Sequence, residues 1–328
     1  MLTKHKMATP STDQIYDRQI RLWGAESQTR MMQSHVAFVN VSGLTSEVLK
    51  NVVLAGIKCT LISIGPRVVS EADAASNLFL RKGDIGAANV EAASQARVQE
   101  LNVHTTVEHL VYGDLSSFLS TLPTSGYTLL VSPALGMSTL DSQTISSSCR
   151  ASGSSLILCD SFGFHACAFL QVGGDEGHTY RKEAGKDKLS DPMTAIYPVI
   201  EGADSLGDWE GLKTRFGGVP KEWVAWMIGR MGRGKGEDWK FFAEETLKAK
   251  KLPSTYLGSQ DDLAALPKSL YSSPCIVPVC AVFGGQLGQE VLKMLTTKGE
   301  CAWNFLTFNG ETQIAREVRV GPDDGKKQ

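Results

Sequence analysis

The residues with the clearest chemical potential lie in the run "HVAFVNVSGLTSEVLKNVVLAG" (35–56): an apolar strand, a turn, and a helical pattern that stops at Gly56. In this frame a glycine-rich turn lets the backbone approach a phosphate, and the helix N-terminus supplies amide donors. Only Gly43 remains of such a cluster, and Asn40, Ser42 and Thr45 hold the positions where glycines would serve. An acidic residue should end the second strand, where it would bond a ribose, but "LISIGPRVV" offers Gly65 and Pro66. A parallel sheet whose first turn never bound a nucleotide explains these residues as well as an emptied site does.

Other candidates are weaker. Seven cysteines, at 59, 149, 159, 167, 275, 280 and 301, include no C-x-x-C pair and no histidine at a metal-ligand interval. Neither zinc nor a disulfide framework is expected; most lie in apolar runs and read as buried reduced thiols. Cys167, near His165, sits in an alternating strand-like run and is not a convincing nucleophile. In "STDQIYDRQIRLWG" a Ser/Thr/Asp start precedes Ile15, Ile20, Leu22 and Trp23, which predict one packed face, with Arg18 and Arg21 on others. On residues alone, both arginines read as partners in surface salt bridges.

The elements that must position these residues follow from periodicity. Strands are predicted at "HVAFVNV" (35–41), "CTLISI" (59–64), "TTVEHLV" (105–111), "YTLLVS" (127–132) and "SLILCD" (155–160). Helical patterns separate them, at Thr45 to Ala55, in "GAANVEAASQARVQELN" and in "TLDSQTISSSCRASG". The alternation predicts an α/β fold, a doubly wound, mostly parallel Rossmann-like sheet with its crevice at the C-terminal strand ends. After "FHACAFLQV" (164–172) the chain becomes charged and glycine-containing. From about 200 to 272 it is polar and helical, and four tryptophans (209, 223, 226 and 239) predict a small local core. It turns apolar again at "SPCIVPVCAVFGGQLGQEVLKMLTTKG", where Gly284 and Gly285 predict close packing at the head of a helix, and ends in two strand-like runs. We therefore expect one domain from 1–172 and 272–320, a charged loop plus helical insertion at 173–271, and a polar tail at 321–328.

The length of 328 residues allows a substantial core, and 42% hydrophobic with 21% charged residues is ordinary for a soluble globular chain. A formal net charge of -2 gives no bulk reason to expect nucleic acid or a membrane as partner. "MLTKHKMATPSTDQ" has no signal-like apolar core, and "CIVPVCAVF" is too short to span a bilayer, so a cytosolic or nuclear chain is expected.

Three motifs, "YDRQIRLWG", "DAASNLFLRKGDIGAANVEAA" and "PVCAVFGGQLGQEVLK", together resemble the adenylating-domain family that activates ubiquitin-like proteins, related to bacterial ThiF-type enzymes. The resemblance covers about 1–172 and 272–320, in the right order. With "DSFGFHACAFLQVGG" and the total length, it is most similar to the non-catalytic chains of heterodimeric SUMO-activating enzymes. The NEDD8 counterpart resembles a longer chain, and a self-sufficient Rossmann enzyme using NAD or S-adenosylmethionine is the reading from a different class.

Active members of the family hold ATP with the glycine loop, an aspartate ending the second strand, an Asn-Arg-Gln cluster, a lysine, and a Mg-binding aspartate after the fourth strand. By resemblance those positions here are Asn40, Ser42 and Thr45; Gly65; Asn77 and Leu78 for the arginine and glutamine; and Ala87 for the lysine. "VSPALGMSTLDS" offers no aspartate near its strand end. The resemblance thus implies no cofactor or metal bound by this chain alone, with ATP and Mg in the site of a catalytic partner subunit. One family residue survives: Arg18 matches the arginine that reaches across the dimer to the partner's ATP. The resemblance also implies a pseudo-adenylating role in a nuclear and cytoplasmic heterodimer that activates SUMO.

Overall fold

The computed structural model describes residues 15–182, 184, 189–212, 214 and 217–320. The Ser/Thr/Asp start of the first helix and the polar tail at 321–328 lie outside the described residues.

Among the described residues, eight strands form the main sheet. β1 (His35–Val39), β2 (Lys58–Ile64), β3 (Val107–Tyr112), β4 (Leu129–Ser132) and β5 (Ser155–Phe162) are parallel, in the order β3-β2-β1-β4-β5. Three antiparallel strands extend the β5 edge: β6 (His165–Gln171), β9 (Phe305–Asn309) and β10 (Ile314–Val318). β7 (His178–Tyr180) and β8 (Met193–Ala195) pair separately. Every residue of β4, and all of β1 after His35, is buried, because helices cover both faces of a parallel sheet. Strand order reverses between β1 and β4, which makes the C-terminal ends of these two strands the natural ligand crevice.

The helices that bear on the site and its packing, among the described residues, are α1 (Asp17–Trp23), α2 (Ala25–Gln33), α3 (Gly43–Leu54), α4 (Glu71–Ser76), α5 (Val90–Leu101), α6 (Thr139–Ser152), α7 (Lys221–Met231), α8 (Trp239–Ala249), α9 (Gln260–Ser272) and α10 (Val277–Thr296). On one face of the sheet α3 and α10 lie in close contact. A Cβ at Gly284 would come 2.6 Å from the Glu47 Cβ, and one at Gly288 would come 3.0 Å from the Asn51 Cβ. The expectation for Gly285 is corrected, since that position faces open space. The close-packed pair is spaced by one helical turn, as one face of a helix requires.

The opposite face is covered by α6 and the helices of 200–272, and here the structure departs from a local tryptophan core. The Trp223 and Trp226 rings meet Phe305 of β9 edge-on, at 5.4 and 6.1 Å, and Trp209 meets Trp223 at 5.0 Å. These rings share one apolar cluster with Ala37, Val39, Leu130 and Phe169 of the sheet. The helical segment therefore supplies one of the two layers of the sheet's core.

Candidate functional site

At the switch point the turn after β1 is built by its own side chains. Asn40 takes a left-handed conformation (φ 50°), which asparagine tolerates, and its Oδ1 accepts from the Ile64 amide at 3.0 Å. Ser42 caps α3 in a reciprocal box: its Oγ accepts from the Thr45 amide at 3.3 Å, while Thr45 Oγ1 accepts from the Ser42 amide at 2.8 Å. The two hydroxyls thus take up amides at a helix start that would otherwise be available to an anion.

A third amide is committed to a carboxylate. Glu91, in the first turn of α5, is fully buried and its Oε1 accepts from the Val41 amide at 2.6 Å. Its Oε2 accepts from Ser63 Oγ at 2.7 Å. Ser63 in turn lies 2.9 Å from His109 Nε2 and 2.6 Å from the Asn89 side-chain oxygen. Arg67, from the loop after β2, donates to the Val41 carbonyl oxygen at 2.8 Å and to Asp73 at 2.8 Å, and pairs with Glu91 at 3.4 Å. An internal anion and an internal cation therefore lie across the turn where a phosphate would approach.

The loop after β4, on the other side of the switch point, repeats this solution. Asp160, near the end of β5, is buried and accepts from the Ala134 amide at 3.1 Å, the Leu135 amide at 3.0 Å and Trp226 Nε1 at 2.8 Å. Burial raises its pKa to about 6 although all three donors oppose the shift. The carboxylate faces protein donors and ties the loop to α7.

The remaining degenerate positions are structural. Gly65 has φ 70° and donates to the Tyr112 carbonyl at 2.9 Å, closing β2 onto β3. Buried Asn77 accepts from the Phe79 amide at 2.9 Å, and the Leu78 amide donates to Ser46 Oγ at 3.2 Å, which seats this segment on α3. Ala87 packs on Val69, Leu80 and Val90, and its carbonyl accepts from the Val69 amide. Gly43 lies so close to Ser76 of α4 that a Cβ there would be 3.0 Å from the Ser76 side chain. The Val41, Ser42 and Thr45 amides of this crevice are thus held by side chains of the same chain, and the buried Glu91 carboxylate lies where an anionic ligand would meet it.

Arg18 lies elsewhere. α1 packs at the far end of α3, where Gln19 Nε2 donates to the Leu54 carbonyl at 3.1 Å and Asn102 Nδ2 donates to the Tyr16 hydroxyl at 3.0 Å. The twelve residues of α3 separate α1 from the turn after β1 by about 18 Å at the usual rise per residue. Arg21 forms the expected surface pair with Asp17 at 2.9 Å, whereas Arg18 is exposed and makes no ion pair among the described residues. Leu22, one turn on, is 74% exposed and not part of a packed face as expected, so a cation and an apolar side chain share one open face of α1.

The ThiF family profile matches residues 16–328. The chain belongs to the ThiF family. It is similar to SUMO-activating enzyme subunit 1 of Mus musculus, 29% identical over 324 residues that cover 90% of each chain, and to that of Dictyostelium discoideum, 26% identical over 329 residues covering 90% of this chain and 89% of the other. Among solved structures it resembles PaaA (TM-score 0.57, 15% identity, 97% of this chain and 86% of the other) and E. coli MccB (0.58, 12%, 97% and 72%). Those two likenesses concern the fold alone. Within this ThiF-family fold, sequence reasoning misses Arg67, Glu91 and Asp160. A glutamate in a helix's first turn normally signals an exposed dipole partner, and nothing local marks Glu91 as buried.

Proposed function

We propose that this chain is the non-catalytic, pseudo-adenylating subunit of a heterodimeric SUMO-activating enzyme. The relatives called SUMO-activating enzyme subunit 1 support a ThiF-family subunit acting toward SUMO, paired with a catalytic subunit. The observation that carries the finer reading is the double occupation of the crevice, with Glu91 on the Val41 amide and Asp160 on the Ala134 and Leu135 amides. A triphosphate or dinucleotide would have to displace buried carboxylates from these amides and leave them buried with fewer hydrogen bonds. The same feature weighs against a self-sufficient enzyme using NAD or S-adenosylmethionine. ATP and Mg are then held by the catalytic subunit.

Arg18 is the residue we assign to the chemistry. It is exposed and free of ion pairs among the described residues, and lies too far from its own chain's crevice to serve it. In the partner's site its guanidinium stabilises charge on the triphosphate as the SUMO carboxyl terminus attacks the α-phosphate and pyrophosphate leaves. The exposed Leu22 beside it fits a face that docks on protein. The test is ATP-dependent thioester formation between SUMO and the catalytic subunit's cysteine, with each chain alone and with both. We expect product only with both chains; adenylation by this chain alone would overturn the proposal.

A further inference from the structure

Cys275 and Cys280 flank the start of α10, and both sulfurs turn toward Ser161 near the end of β5. Cys280 Sγ lies 3.2 Å from Ser161 Oγ, and Cys275 Sγ lies 3.8 Å from the Ser161 carbonyl oxygen. The Cys280 thiol is also the largest influence on the ionisation of Cys275. Cys275 is held by a backbone bridge to Gly163, in the turn between β5 and β6. Among the seven cysteines it alone is partly open to solvent; the other six, Cys280 included, are buried.

We propose that Cys275 and Cys280 form a peroxide-oxidised dithiol site that closes reversibly to an intramolecular disulfide. Three features give Cys275 the role of attacking thiol. It precedes the N-terminus of a 20-residue helix, where the dipole favours a thiolate; it is the accessible member; and the Cys280 thiol lowers its pKa to about 7. The neighbouring Asp160 and Asp73 carboxylates and partial burial oppose that shift without cancelling it. Cys280 is pushed up by Cys275 and by burial, so it stays a thiol and acts second.

The chemistry balances. The Cys275 thiolate attacks one peroxide oxygen, the O–O bond breaks, and the departing hydroxide takes up a proton to leave as water, so that Cys275 becomes a sulfenic acid. Cys280 then attacks that sulfur and gives up its proton, the S–O bond breaks, and a second water departs. Two thiols are oxidised and one peroxide is reduced to two waters. A small thiol reverses the step by exchange.

The test uses the full chain treated with hydrogen peroxide, quenched by an alkylating reagent, digested and read by mass spectrometry. We expect the peptide carrying both cysteines to lose two hydrogens, resist alkylation and regain two alkylatable thiols after dithiothreitol, while the five other cysteines stay reduced. Cys280→Ser should halt the reaction at a Cys275 sulfenic acid that dimedone captures, and Cys275→Ser should leave Cys280 unoxidised. The wild-type readout needs no variant to fold. Full alkylation of both residues after peroxide, or oxidation spread evenly over all seven, would overturn the proposal.

Discussion

Glu91 Oε1 lies 2.6 Å from the Val41 amide nitrogen, and Arg67 brackets the contact by donating to the Val41 carbonyl oxygen at 2.8 Å. A carboxylate from α5 thus holds the amide of a turn that in a phosphate site would face the ligand. Because Glu91 is fully buried, Glu91→Ala leaves the Val41 amide without its acceptor and removes one partner each from Arg67 and Ser63, and we expect a loss of about 3 kcal/mol. Glu91→Gln, which keeps an acceptor for Val41, should lose less. Urea denaturation of the variants measures both, and a neutral Glu91→Ala would mean that the network does not hold the turn.

The contact between α3 and α10 makes a paired prediction. Gly284→Ala sets a Cβ 2.6 Å from the Glu47 Cβ and forces the helices apart, costing about 1–3 kcal/mol. Gly285→Ala enters open space on the same helix and should be neutral or stabilising by up to about 1 kcal/mol. Thermal unfolding of the two variants should shift in opposite directions or differ clearly; equal shifts would contradict the packing described.

Asp160 gives the pH dependence. Its folded pKa of about 6 lies above the ordinary 3.8, so the folded chain binds the proton more tightly than the unfolded chain. That contribution is fully present below the ordinary value and is lost as pH rises through about 6. Relative to Asp160→Asn, the wild type should therefore lose stability between about pH 4 and pH 6, on the order of 3 kcal/mol, and change little above. Parallel stability curves for the two proteins across this window would contradict the assignment.

Much of the sheet is legible in the sequence because its strands are short β-branched runs buried on both faces, as β1 and β4 illustrate. The start of α3 is legible only to within two residues, since the helical pattern places it at Thr45 and the structure at Gly43. What fills the crevice is not legible. Glu91 meets Val41 from 50 residues away and Trp226 meets Asp160 from 66, and such partners are set by topology and not by local pattern. The four tryptophans mark a core, but only the fold shows that they share it with Phe305. Leu22 misleads for a related reason: periodicity assigns it to a packed face, yet α1 is a surface element and leaves it open.

The central claim is that Arg18 acts in the catalytic partner's ATP site while its own chain's crevice stays silent. ATP–pyrophosphate exchange by the reconstituted pair tests it most directly, with Arg18→Ala compared against Arg21→Ala and dimer formation checked for each. Arg21 is committed to Asp17 on the surface, so its removal should leave exchange unchanged. Loss of Arg18 should lower exchange by about a hundredfold or more in an intact dimer. Exchange by an intact Arg18→Ala dimer equal to wild type would contradict the account.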